Sequence, residues 1–218
     1  PFWLVFIYFI KEDAMKYVNE YTEICCNTYS YEEYVKGLKD IQDKIGDSNH
    51  PLSILIDGDF AHNNAQFTEC KRLYQQAYET DQNNYVFNCK MLEILDFLEQ
   101  EDLLNSSYFS VIKDQQDPLS THTKMELYIH NHDFNNYSIE YIRFKRIPTI
   151  DSRVLLYQYA VNYAVQGKYQ QAYKVLKSLY EEEPFNPNVC NDLAYAMFEL
   201  QKYESAIDVL NDGLKIDN

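Results

Sequence analysis

Apolar residues recur at helical spacing along most of the chain, and in its last third they also recur at a longer period. Ala160 and Ala194 are 34 residues apart, and so are Tyr169 and Tyr203, Ala172 and Ala206, and Leu176 and Leu210. Four coincident matches at one period mark a structural repeat. Within a repeat, Tyr169 and Leu176 stand two turns apart and share one side of a helix. Ala160 and Ala172 fall where two helices must approach closely, since a larger side chain would hold them apart. Gly167 interrupts the pattern between them and reads as a tight turn, because glycine tolerates positive φ. Glu183-Pro184 ends the second helix, as proline disfavours helical backbone in the residue before it. The spacing predicts antiparallel helices over 154–166 and 169–182, then over 188–200 and 203–215.

Carried toward the N-terminus, the same period fits less well. In 51–84 it places Gly58, Ala61, Phe67, Cys70 and Ala77 in suitable slots. In 85–118 it rests on Met91, Leu95 and the apolar run from Ile94 to Leu104. In 119–152 Met125, Ser138 and Ile142 fit, but Glu126 occupies the slot that needs a small residue. In 15–48, Tyr31, Tyr34, Leu38 and Ile41 suggest a second helix displaced by two residues. Two readings stand for 15–152: degenerate repeats, or helical hairpins without the repeat pattern. Residues 1–10 are apolar and would rise about 15 Å as a helix, half of a bilayer core. They read as a buried helix capping the first hairpin, the alternative being the end of a membrane helix. Any membrane contact is confined to them. The expected organisation is one α-solenoid over 1–218. An N-terminal helix and degenerate hairpin fill 1–50, degenerate repeats fill 51–152, and full repeats fill 153–186 and 187–218.

The last two segments resemble tetratricopeptide repeats. Residues 153–186 match the family pattern at Leu156, Tyr159, Ala160, Tyr163, Tyr169, Ala172, Leu176 and Pro184, and depart from it at Leu179. Residues 187–218 match at Leu193, Ala194, Met197, Tyr203, Ala206 and Leu210, with Gly213 in the second small slot and Asn218 where proline is usual. The resemblance implies an all-α fold, a right-handed superhelical solenoid of antiparallel helix hairpins. It also implies a concave groove, lined by the first helix of each repeat, that holds a segment of another protein. Its slots fall on Tyr157, Gln158, Val161 and Ala164 in one repeat and on Asn188, Asn191, Asp192 and Tyr195 in the next. The lysines and arginines with which chaperone-binding members grip a terminal carboxylate are absent from these slots, and a basic or hydrogen-bonding segment suits them better.

Composition narrows the picture. The formal net charge is −15, which disfavours phosphate backbones and excludes nucleic acid as the natural partner. Five glycines and six prolines are too few for a sandwich or barrel of many turns. The 21 tyrosines are suited to contact surfaces, because the ring buries area at small entropic cost. Five irregularly spaced cysteines without a CxxC pair suggest reduced thiols in the cytoplasm or another reducing compartment. Three clusters invite a chemical reading: His122, His130, His132 and Asp133 as a metal site, Asp57-Gly58-Asp59 as an acid motif, and Glu181, Glu182 and Glu183 as paired acids. Each has a simpler account. Histidines two apart diverge on a helix, Gly58 fits a packing slot, and the glutamates form a solvated run at a helix end. No cofactor, metal or catalysis is expected. The expectation is a non-catalytic protein-binding scaffold or adaptor in a multi-subunit complex. The alternative is a regulatory helical region of a longer enzyme or of a membrane-anchored assembly factor.

Overall fold

A computed structural model describes residues 17–27, 30–184 and 186–214. The apolar stretch 1–10 lies outside the described residues. Every regular element among them is helical. Helix α1 covers residues 17–27. It is followed by α2 (Tyr31–Ile45), α3 (Pro51–Asn63), α4 (Phe67–Thr80), α5 (Tyr85–Phe97), a 3-10 turn at Leu103–Asn105 and α6 (Ser107–Ile112). Then come α7 (Pro118–His130), α8 (Phe134–Phe144), α9 (Ser152–Val165), α10 (Tyr169–Glu182), α11 (Pro187–Glu199) and α12 (Tyr203–Gly213). The helices expected in the last third are present within two residues at each end.

The chain forms two compact units. Among the described residues, one comprises 17–26 and 34–148, the other the short segment just before Tyr34 and those from Thr149 onward. In the first unit α3 packs on α4, α4 on α5, α5 on α6 and α7, and α7 on α8. In the second, α9 packs on α10, α10 on α11 and α11 on α12. Ala160, Ala172, Ala194 and Ala206 are all buried in one apolar cluster with Leu176, Leu193 and Val209. Leu179, the departure from the family pattern, is buried there too.

The backbone repeats more regularly than the side chains do. Ala65, Glu99, His132, Gly167 and Gln201 all have left-handed φ, between 54° and 69°, and follow one another at steps of 34, 33, 35 and 34 residues. At each, two amides close the end of the preceding helix. Gln66 N–H donates to Ala61 O, Gln100 to Leu95, Asp133 to Tyr128, Lys168 to Tyr163 and Lys202 to Met197. The left-handed residues themselves donate to His62, Asp96, Ile129, Ala164 and Phe198. This double closure satisfies carbonyls that a helix end otherwise leaves to water. Only one of the five positions is glycine.

These turns correct one reading of the sequence. The small-residue slot lies seven residues before each turn, at Gly58, Leu92, Met125, Ala160 and Ala194. Met125, not Glu126, therefore sits in the close-packed slot, and it is fully buried while Glu126 is not. The step into α7 is one residue short and the next one residue long, so a rigid 34-residue spacing misplaces that hairpin alone. The second helix of the 85–117 hairpin is also reduced, to the 3-10 turn and six residues of α6. Gly58 leaves no room for a side chain, since a Cβ there would meet the Tyr74 ring at 2.5 Å.

Candidate functional site

The face proposed from sequence lies on α9 and α11, both started by side-chain caps. Asp151 accepts the Arg153 amide at 2.7 Å, and Asn186 accepts those of Asn188 and Val189 at 3.1 and 3.2 Å. Pro187 fills the first turn of α11, where no amide partner is needed. These caps fix where both helices start.

Tyr157 donates its hydroxyl to Asp192 Oδ2 at 2.7 Å and so ties α9 to α11 across one repeat. Asn191 Nδ2 reaches the other oxygen of Asp192 at 3.4 Å. Tyr195, one turn further along α11, is 51% exposed and meets the Tyr169 ring edge-on at 6.0 Å. Bonding to the Tyr169 hydroxyl, then partial burial, pushes the Tyr195 phenol up to about 12, so it stays a neutral donor. Asn188 and Asn191 are exposed, and Val161 is half-buried. Gln158 is 1% exposed and lies within the helix packing, away from this face. The structure thus brings together Tyr157, Asn191, Asp192 and Tyr195, sets Asn188 and Val161 at accessible positions, and leaves Gln158 buried.

The chemical clusters resolve into packing and pairing. His130 Nδ1 bonds the Asp96 carboxylate across a 34-residue step. His132 occupies a left-handed turn and touches Phe134 edge-on at 6.0 Å. Among the described residues no three His, Cys, Asp or Glu side chains converge as metal ligands. Asp59 has a role that the sequence reading missed. Its buried carboxylate accepts the hydroxyls of Tyr21 and Tyr74, both at 2.6 Å, and pairs with Lys90 Nζ at 3.0 Å. Lys90 also reaches Glu93 at 2.8 Å. Burial alone would lower the lysine, but the two carboxylates outweigh it and hold its ammonium well above the ordinary range. Desolvation beside the buried lysine raises Glu93, but the attraction of Lys90 outweighs it and holds this partly exposed carboxyl below the ordinary range. Lys124 is buried as well. It donates to Gln115 O at 2.7 Å and pairs with Glu140 at 3.2 Å, fastening the loop that carries the short step. These lysines stand on first helices, like groove residues, and only their burial tells them apart.

Helix hairpins closed by left-handed turns, with small residues at the crossing and tyrosines between neighbours, are the geometry of one repeat family, and residues 165–218 match it: tetratricopeptide repeat. Within residues 165–218 the chain carries the tetratricopeptide repeat. No curated protein matches the chain. Among solved structures, a tetratricopeptide repeat protein from Parabacteroides merdae is similar at a TM-score of 0.51 and 16% identity, covering 84% of this chain and 72% of its own. A MamA protein is similar at a TM-score of 0.40 and 13% identity, covering 78% of this chain and 92% of its own. The first likeness extends the tetratricopeptide repeat fold over most of the chain.

Proposed function

We propose that this protein is a non-catalytic scaffold whose α9–α11 face holds a segment of another protein. Tyr157, Val161, Asn188, Asn191, Asp192 and Tyr195 carry the contact, and Gln158 supports it from within. The observation behind this reading is the Tyr157–Asp192 hydrogen bond. It presets a polar floor between two first helices, and the exposed Tyr195 ring stands beside it. An aromatic side chain held by a neighbour loses little entropy on binding, which is what a hot spot requires. Amide and acidic groups without Lys or Arg on α11 favour a basic, hydrogen-bonding segment. The hairpins of 51–152 are read as degenerate members of the same array, because their turns keep its spacing. Five irregularly spaced cysteines without a CxxC pair support a reducing compartment such as the cytoplasm.

The test compares partners purified with the wild type and with Tyr157→Ala/Tyr195→Ala, both shown to be folded by circular dichroism. The double variant is expected to lose its principal partner, with about 2 kcal/mol lost per desolvated tyrosine. Retention of every partner by the folded variant would assign binding to another surface.

A further inference from the structure

One position breaks the pattern of the five repeating turns. Two residues after the turn, the second helix opens on an aromatic ring at Phe67, Phe134, Tyr169 and Tyr203, but the turn at Glu99 is followed by Glu101. The first helix of that hairpin, α5, is buried without a break from Val86 to Leu92, with Asn88 and Lys90 included, so its groove side is closed. It leaves the core at Phe97 and Leu98, which are 51 and 43% exposed. Phe97 lies on the preceding hairpin instead, 4.3 Å from the Phe67 ring and edge-on to His62 at 5.7 Å. His62 also meets Phe67 edge-on at 5.6 Å. The three rings brace one another, so Phe97 is held in place while half of it faces water. Hairpins of the same unit stand on both sides, α3 and α4 before and α7 and α8 after, so the exposure does not come from an end of the chain.

We propose that the ridge of Phe67, Phe97 and Leu98 is a docking site for a short arginine-rich segment of a partner protein that carries one large apolar side chain. The apolar side chain lies against Phe97 and Leu98, where a ring already fixed in place loses little freedom on binding. The arginines follow from charge. Between Lys90 and Lys113 the chain carries Glu93, Asp96, Glu99, Glu101 and Asp102 and no Lys or Arg. Glu93 pairs with Lys90 and Asp96 with His130, but the three carboxylates that follow Leu98 are exposed beside the ridge. On the α4 side Arg72 is held by Glu69. A guanidinium suits both parts of the surface, since its planar fork matches a carboxylate and its face stacks on an aromatic ring. The second unit shows a cation seated in this way, with Lys202 Nζ 3.8 Å over the Tyr173 ring. A second copy fits poorly, because it would set two acidic loops against each other in a chain of net charge −15. This surface is distinct from the α9–α11 face and does not depend on its assignment.

The experiment uses three fluorescein-labelled peptides of about 12 residues. One has a phenylalanine among arginines, one has the same phenylalanine among glutamates, and one keeps the arginines but has serine for phenylalanine. Anisotropy is measured at low and physiological salt with the wild type, Phe97→Ser/Leu98→Ser, Glu99→Gln/Glu101→Gln and Tyr157→Ala/Tyr195→Ala, each checked for folding by circular dichroism. The arginine–phenylalanine peptide is expected to bind the wild type at least about tenfold tighter than either of the others. Phe97→Ser/Leu98→Ser is expected to weaken it at least about tenfold with no change of charge. Glu99→Gln/Glu101→Gln, which replaces exposed side chains only, is expected to weaken it about three- to tenfold, and less at higher salt. Tyr157→Ala/Tyr195→Ala is expected to leave that weakening intact when combined with either variant. Equal binding of the two arginine peptides would show general charge attraction and overturn the proposal, as would no binding by the wild type. Unchanged affinity in Glu99→Gln/Glu101→Gln would overturn it even where Phe97→Ser/Leu98→Ser fails to fold. Loss of all binding in the tyrosine variant alone would move the site to α9–α11. A wild-type dimer by light scattering that becomes monomeric in Phe97→Ser/Leu98→Ser would make the occupant a second copy and equally overturn it.

Discussion

At the residue scale the molecule holds strain in one place and charge in another. Ala65, Glu99, His132 and Gln201 adopt a left-handed backbone that a side chain opposes, and Gly167 shows the unstrained solution at the equivalent position. Gln201→Gly is therefore expected to raise the stability of the second unit by about 0.5–1 kcal/mol in denaturant titration. Gly167→Ala should lower it by about 1 kcal/mol, and equal effects of the two in the same direction would contradict the turn assignment. Charge is held at Asp59. Asp59→Asn keeps the shape but removes a carboxylate from a buried ammonium, which leaves Lys90 with Glu93 alone. A loss of roughly 3–5 kcal/mol is expected, read as a lower urea midpoint. An unchanged midpoint would mean that water, not Asp59, solvates Lys90.

At the element scale, α5 and α7 are linked by His130 and Asp96. Hydrogen bonding to Asp96, then attraction to that carboxylate and to Glu126, raises the imidazole above its ordinary value against partial burial. A raised folded-state value means that the stabilisation is complete below the unfolded value near 6.5 and is lost as pH rises through the folded one. His50 acts in the opposite sense. Burial lowers it, its Nδ1 accepts the Leu52 amide at the start of α3, and its contribution fades as pH falls. The clean measurement is the stability difference between wild type and His130→Asn, expected to be larger at about pH 5.5 than at about pH 8.5. A difference that does not vary with pH would show that the bond has no ionic part. The elements also show what sequence makes legible. Alanine crossings and Gly167 were readable in 153–218 because the period there is unbroken. The α7–α8 hairpin was hidden by a one-residue shortening followed by a one-residue extension. Met125 in a slot usually filled by a small residue hid it further, as Leu92 did the hairpin that α5 begins. The Asp59–Lys90 pair was not legible, because on first helices a charged residue looks alike whether it lines a groove or is walled in by Tyr21 and Tyr74. Of the candidate face, position was readable from the repeat, but the burial of Gln158 was not.

At the scale of the whole molecule, thiols report on both units. Cys26, Cys70, Cys89 and Cys190 are buried, the first three in one unit and the last in the other. Burial raises all four thiols, so little thiolate forms at neutral pH. In the native protein these four are expected to resist alkylation, and to become reactive only as their own unit unfolds. Mass spectrometry of protein alkylated along a urea series checks this, and prompt labelling of Cys89 without urea would contradict the packing of α5.

The Asp59 seam also bears on where the chain can be cut. Loops between hairpins are the usual places to trim a repeat protein, since each hairpin leans mainly on its neighbours. Here the loop ahead of Pro51 is a poor place to start a fragment. Such a fragment would lack the Tyr21 hydroxyl, and the carboxylate it bonds would lie open at the new end. A start after Asn84 would be worse, stranding Lys90 without Asp59. The first unit is in this sense a single casting. A shortened version would have to replace the ionic residues at the cut face before it could be expected to express as a soluble protein.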